Sequence, residues 1–141
     1  MEKLGFTELK APTVHDRTVE PDANIFKIYP ADMHKAKMRF LSAGNGVGIE
    51  LFEFQKPRIA PGGEANFEQD YKRGGLFHFA ITVDDIRAVV EKVAKSGGKT
   101  YGPVIGIFEY EAAYVQDPWG NIIELLTASF ERVMANRTPK L

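Results

Sequence analysis

Met38–Leu51 reads MRFLSAGNGVGIEL, and Ala112–Leu125 reads AAYVQDPWGNIIEL. Laid over each other without a gap, Gly46, Ile49, Glu50 and Leu51 fall on Gly120, Ile123, Glu124 and Leu125. Each stretch has the plan of an extended run, a Gly-containing turn and a second strand that ends in Ile-Glu-Leu. A repeated strand–turn–strand predicts two copies of one module. A carboxylate at the same place inside both apolar strands is the first sign of a shared chemical site.

The rest of the chain organises around these two stretches. Leu4-Gly5-Phe6 is a helix-end or turn signal, followed by a short strand over Phe6–Leu9. Between Ala11 and Lys35, Pro12, Pro21 and Pro30 interrupt any long element, which predicts a loop or a broken strand. Lys37–Ser42 and Val47–Phe54 form a hairpin around Ala43-Gly44-Asn45-Gly46, with Asn-Gly as the turn signal. Pro57, Pro61-Gly62-Gly63 and Gly74-Gly75 mark a linker. Beyond it, Leu76–Val83 alternates, with Phe77, Phe79, Ile81 and Val83 on one side and His78, Ala80 and Thr82 on the other. Asp84 and Asp85 supply a helix N-cap and favourable first-turn charge. Ile86, Val89, Val90, Val93 and Ala94 form an apolar stripe at helical spacing, and Gly97-Gly98 ends that helix. Strands follow near Tyr101–Ile107, Glu111–Gln116 and Asn121–Ala128, the last two joined by the turn Asp117-Pro118-Trp119-Gly120. The expected layout is module one over 1–55, a linker over 56–75, module two (β-α-β-β-β) over 76–128 and a short helix or tail over 129–141.

Composition narrows the function. A chain of 141 residues, 44% hydrophobic and 26% charged, fits one ordinary globular domain. The net charge is −1 and the charges are scattered, so no basic stripe exists to neutralise phosphates and nucleic acid is not an expected partner. No apolar run approaches the ~20 residues that span a bilayer. The N-terminus lacks the apolar core of a signal peptide, so the expected compartment is the cytoplasm. With zero cysteines there are no disulfides, thiolate metal sites or cysteine nucleophiles. Any metal must be held by His, Asp or Glu.

His78 and Glu124 each lie inside an apolar strand, and Glu50 repeats Glu124. Burying a lone ionised carboxylate costs several kcal/mol unless it is paired or metal-bound. One imidazole and two carboxylates brought together would form an N/O site for a borderline or hard divalent cation: Zn, Ni, Mn, Fe(II) or Co rather than Cu(I). Against this stands the ordinary reading of a strand histidine as structural and of a strand glutamate as solvated. His15 and His34 read as solvated, and Trp119 as packing. Tyr71, Tyr101, Phe108 and Tyr110 could line a cavity but read first as core. Ser42, Ser96 and Ser129 stand in no nucleophile-elbow context.

Leu4-Gly5-Phe6, the GVGIELFEF run, Gly75–Asp84 (GLFHFAITVD) and Asp117–Leu125 (DPWGNIIEL) together resemble the vicinal oxygen chelate superfamily, which includes glyoxalases, bleomycin resistance proteins and extradiol dioxygenases. The resemblance covers nearly the whole chain. It implies an α+β fold of two βαβββ modules that form a cupped, partly open mixed sheet around a metal. In glyoxalase-like members each module supplies a ligand from its first and its last strand. By position, His78 matches the first-strand ligand of module two, Glu124 its last-strand ligand and Glu50 the last-strand ligand of module one. His78 precedes Gly97 by 19 residues (97 − 78), and Gly5 is the counterpart of Gly97, so the fourth ligand would fall at position −14 (5 − 19). Module one is therefore expected without its first strand and helix. The open sheet edge this leaves invites a homodimer, with strand exchange as one route. The implied activity is lyase or isomerase chemistry of the lactoylglutathione lyase kind: metal-assisted proton transfer on a small vicinal-oxygen substrate, with Glu124 or Glu50 shuttling the proton. The alternatives are a non-catalytic binder of the bleomycin-resistance type and an extradiol-type dioxygenase. The latter wants two imidazoles where this chain offers one well-placed histidine.

Overall fold

The computed structural model describes residues 5–44, 46–59, 67–72 and 74–135. The chain divides into two compact units, Met1–Pro61 and Gly62–Leu141.

The first unit is built on β3 (Lys35–Gly44) and β4 (Val47–Lys56), an antiparallel hairpin. Gly44 and Gly46 at its tip have φ of 87° and 75°, which a side chain would resist and which glycine adopts without strain. The other edge of β3 carries two short strands in succession, β1 (Thr7–Glu8) and β2 (Thr13–Asp16). They are one strand broken at the Pro12 region, as the proline spacing predicts. A single helical turn, α1 (Ile25–Ile28), presents Phe26 to a small core with Met33 and Ala36. Tyr29 tilts against Phe52 and Phe54 of β4, each ring centroid 5.8 Å away.

The second unit opens with one turn of helix, α2 (Phe67–Asp70), inside the stretch expected to be linker. Its sheet has the order β5 (His78–Thr82), β8 (Ile122–Leu126), β7 (Tyr110–Gln116), β6 (Lys99–Ile107), with β5 parallel to β8 and the other pairs antiparallel. The crossover from β5 runs through α3 (Ile86–Lys95), which packs on β6 and β7 and buries Ile86 and Val89. Asp85 caps α3 by accepting from the Ala88 amide at 2.9 Å. Its C-terminus closes as expected at Gly97-Gly98. The Gly98 amide reaches the Val93 carbonyl and the Gly97 amide the Ala94 carbonyl, with Gly97 at φ 84°. The tail begins as α4 (Phe130–Met134), which buries Val133. Residues 136–141 of the expected tail lie outside the described residues.

The internal repeat holds at the level of strand register. In β3–β4, Met38 faces Phe52, Phe40 faces Glu50 and Ser42 faces Gly48. In β7–β8, Ala112 faces Leu126, Tyr114 faces Glu124 and Gln116 faces Ile122. Every pair maps onto its counterpart with the same offset. Surroundings differ. All five residues of β8 are buried, whereas in β4 Gly48 and Glu50 are exposed and Ile49, Leu51 and Phe52 only half-buried. β8 is flanked by β5. Among the described residues β4 has no strand on that edge, and the first unit has no counterpart of β5 and α3. The expected absence of a first strand and helix from module one agrees with this. No described helix is long and apolar enough to cross a membrane.

Candidate functional site

Strand alternation sets the site. With His78 beside Ile122 and Ala80 beside Glu124 in the parallel pair, His78 and Glu124 project from the same face of the sheet. Tyr114, opposite Glu124 on β7, shares that face. The result is a buried carboxylate between an imidazole and a phenol. Glu124 is 5% exposed, the deepest-lying acid among the described residues. Its Oε2 lies 3.6 Å from His78 Nε2. The Tyr114 hydroxyl donates to the same carboxylate. Burial first, then the Glu124 charge and that hydrogen bond, push the Tyr114 pKa up. Its proton is held because a phenolate there would lose water and face a carboxylate.

His78 is bracketed by aromatic rings, edge-on to Phe77 at 5.5 Å and to Tyr114 at 5.3 Å. Its Nδ1 is buried and has no hydrogen-bond partner among the described residues. Phe67 of α2 stacks on Tyr101 of β6 at 4.5 Å and tilts against Phe77 at 5.3 Å. These rings stand beside a cavity of about 200 Å³ whose lining includes Phe67, Leu76, Phe77, His78, Gln116 and Asn121. Gln116 is 4% exposed and satisfied at both ends of its amide: it accepts from the Tyr101 hydroxyl at 3.1 Å and donates to the Gly120 carbonyl at 3.2 Å. Next to it, Asp117 organises the final turn by accepting from the Trp119 and Asn121 amides, each at 2.9 Å, and from the Asn121 side chain at 2.8 Å. Asn121 is thereby fixed at the cavity wall.

The donor chemistry suits a divalent cation. An N···O gap of 3.6 Å is too long for a hydrogen bond. Two ligands on one tetrahedral zinc, with bonds of about 2.0–2.2 Å, stand about 3.4 Å apart. Nε2 is the ring nitrogen that faces Glu124 and would carry the coordination, and it makes no hydrogen bond to that carboxylate. His78 and Glu124 therefore fit as two ligands of such an ion. Among the described residues, no group of three or more His, Asp or Glu that could hold a metal is present.

The sequence-nominated residues fare differently. His78 and Glu124 come together. Glu50 faces Phe40 on the other unit's hairpin and is exposed, so the argument from burial applies to Glu124 and not to Glu50. The reason is local: β4 lacks the flanking strand that buries β8. His15 pairs with Glu20 at 2.7 Å, away from the expected free solvation, and His34 is exposed. Trp119, expected to pack, is 81% exposed. Tyr71 and Phe108 are exposed as well, whereas Tyr101 belongs to the ring cluster. Sequence reasoning missed Tyr114, Gln116, Phe67 and Asn121. The hairpin register about the Asp117–Gly120 turn would have placed Tyr114 opposite Glu124. Nothing in the linker singled out Phe67.

A repeated strand hairpin and a β-α-β-β-β unit carrying a buried acid–imidazole pair define an α+β class of paired modules. A sequence profile described as the Glyoxalase/Bleomycin resistance protein/Dioxygenase superfamily matches residues 1–125, and the chain belongs to that superfamily. Its fold is similar to the glyoxalase family protein from Bacillus cereus, with 18% identity, a TM-score of 0.66 and coverage of 89% of this chain and 79% of that one. It is also similar to the glyoxylase/bleomycin resistance protein/dioxygenase domain from Frankia sp. EAN1pec, with 17% identity, a TM-score of 0.53 and coverage of 91% and 82%. Among curated proteins no relative matches. The superfamily includes glyoxalases, bleomycin resistance proteins and dioxygenases, and divalent metals and small-molecule ligands are common in it.

Proposed function

We propose that this protein is a glyoxalase-like, metal-dependent enzyme that moves a proton on a small substrate bearing vicinal oxygens. The observation that carries the reading is Glu124: an acid 5% exposed, 3.6 Å from an imidazole that lines a cavity. A carboxylate so buried, held by the Tyr114 hydroxyl and facing an imidazole too distant for a hydrogen bond, supports a shared cation. His78 and Glu124 would hold the ion. The repeat nominates Glu50 as a further donor. When bound, the metal supplies a Lewis acid for the substrate's oxygens. The chain's own groups do the remainder. His78 faces the cavity. Glu124 accepts the proton α to the substrate carbonyl and returns it, and the Tyr114 hydroxyl holds that carboxylate in place. Phe67 and Phe77, backed by Tyr101, give the cavity an apolar side. The free edge of β4 supports assembly as a homodimer, checked by light scattering on the purified chain.

Elemental analysis of protein purified without chelator tests the reading. The expected result is stoichiometric divalent metal in the wild type, lost in Glu124→Gln and reduced in Glu50→Gln. Metal-free protein that still binds an apolar ligand would favour the second reading, a non-catalytic binder. The aromatic wall is the observation on that side.

A further inference from the structure

We infer that the body of the ligand, away from its vicinal oxygens, is an uncharged aryl group: a single ring carrying a short oxygenated substituent. This rests on the proposed function and names the substrate class of the same site. Three observations converge. The cavity of about 200 Å³ exceeds by a modest margin the ~150 Å³ that accommodates benzene in an apolar protein cavity, so one ring with a substituent of about four heavy atoms fills it. Phe67, Phe77, His78 and Phe79 supply rings to its lining, and Tyr101 and Tyr114 stand behind them. Phe67 contacts the rings of Tyr101, Phe77 and Tyr114 at 4.5, 5.3 and 6.1 Å, and the His78 ring stands edge-on between Phe77 and Tyr114. A planar ligand beside His78 extends this tilted and stacked arrangement, the geometry in which rings attract beyond their buried area. The third observation is charge. None of the described lining residues is Lys or Arg, and the one carboxylate in the wall is Asp70. A second anionic group on the ligand, such as a peptide carboxylate, would lose water beside Asp70 and find no cation among the described lining residues. The mouth agrees, because Leu76 lines the cavity while 89% exposed, an apolar lip.

The probes are 2-hydroxyacetophenone, hydroxyacetone (the same oxygens without the ring) and 4-(hydroxyacetyl)benzoate (the ring with an added carboxylate). Each is titrated by ligand-observed NMR into zinc-loaded protein. The aryl ketone should bind wild type about tenfold or more tighter than hydroxyacetone. Phe67→Ala should erase most of that preference. The benzoate should bind wild type more weakly than the uncharged aryl probe, and Leu76→Arg should strengthen it selectively. Leu76 is solvent-facing, so that variant keeps the fold even if Phe67→Ala loosens α2. Equal affinity for the ring-bearing and ringless probes, or a benzoate that binds wild type tightest, overturns the inference. A separate zinc titration addresses the underlying reading: zinc affinity unchanged by Glu124→Gln sinks the metal site, whereas the ring preference is read from probe ratios alone.

Discussion

Replacing Glu124 with leucine should make the metal-free protein more stable while abolishing metal binding. Glu124 lies 5% exposed on a strand whose neighbours Ile123, Leu125 and Leu126 are 1%, 0% and 1% exposed. Desolvating its carboxylate costs several kcal/mol. One charged hydrogen bond from Tyr114 returns about 1.5–3 kcal/mol, and His78 at 3.6 Å adds no hydrogen bond. Leucine is of similar size, and burying it gains about 1.5–3 kcal/mol. Tyr114 is half-buried, so the loss of its hydroxyl's partner costs less than it would in a sealed core. The net expectation is stabilisation by about 1–2 kcal/mol, within the range found when buried charges are replaced by hydrophobes. For a chain of this length that raises Tm by roughly 3–6 °C. The assay is differential scanning calorimetry of chelator-treated wild type and Glu124→Leu, repeated with added zinc. Wild type should gain stability with zinc concentration and the variant should not. A metal-free variant less stable than wild type by more than about 1 kcal/mol would refute the reasoning. It would show that the acid is a satisfied structural group in its hydrogen-bonded setting.

Other consequences are local. Gly98→Ala should destabilise by about 1–3 kcal/mol, because a Cβ there overlaps the Gln116 carbonyl oxygen and the Val93 side chain; denaturant unfolding reads it. Asp117→Ala removes acceptors for three donors in the turn that fixes Asn121 and should cost about 1–2 kcal/mol together with weaker ligand binding, measured by calorimetry and NMR titration. Stability should fall in acid. Hydrogen bonds from Thr18 and then Lys35 hold Asp16 at a pKa of about 2 against 3.8, and Arg87 holds Glu111 below its ordinary 4.5. Both acids have folded pKa values below their unfolded ones. The stability they contribute is therefore present above about pH 4.5 and lost as pH drops toward 2. Asp16→Asn and Glu111→Gln should flatten that limb in pH-dependent melts.

The fold was legible where the sequence carried period and punctuation together. The stripe from Ile86 to Ala94, the Asp85 cap and the Gly97-Gly98 stop place α3 within a residue or two of where it lies. The two Ile-Glu-Leu strands gave the repeat, and the structure extends it to an identical pairing register. The site was legible in part. His78 and Glu124 stand out because polar groups in apolar strands cost free energy and so call for a reason. The ring cluster did not stand out, because aromatics serve cores and cavities alike and only the fold brings Phe67 of α2 against Tyr101 and Phe77. Trp119 was misread for a related reason. Asp117 holds the turn rigid through hydrogen bonds, so the indole is not needed to anchor it and stays in solvent.

Glu50 shows why a repeat predicts register better than environment. Pairing is set by the turn and by strand alternation, both encoded within the hairpin itself, so Glu50 meets Phe40 as Glu124 meets Tyr114. Burial is set by what lies outside the hairpin. In the second unit β5 flanks β8 and also delivers His78, so one strand both seals the acid and gives it an imidazole. Without a flanking strand on β4 among the described residues, Glu50 keeps its water. The position facing the acid fits the same division. Tyr114 brings a hydroxyl to an acid that has lost its water, whereas Phe40 brings none, and an acid still solvated does not require one.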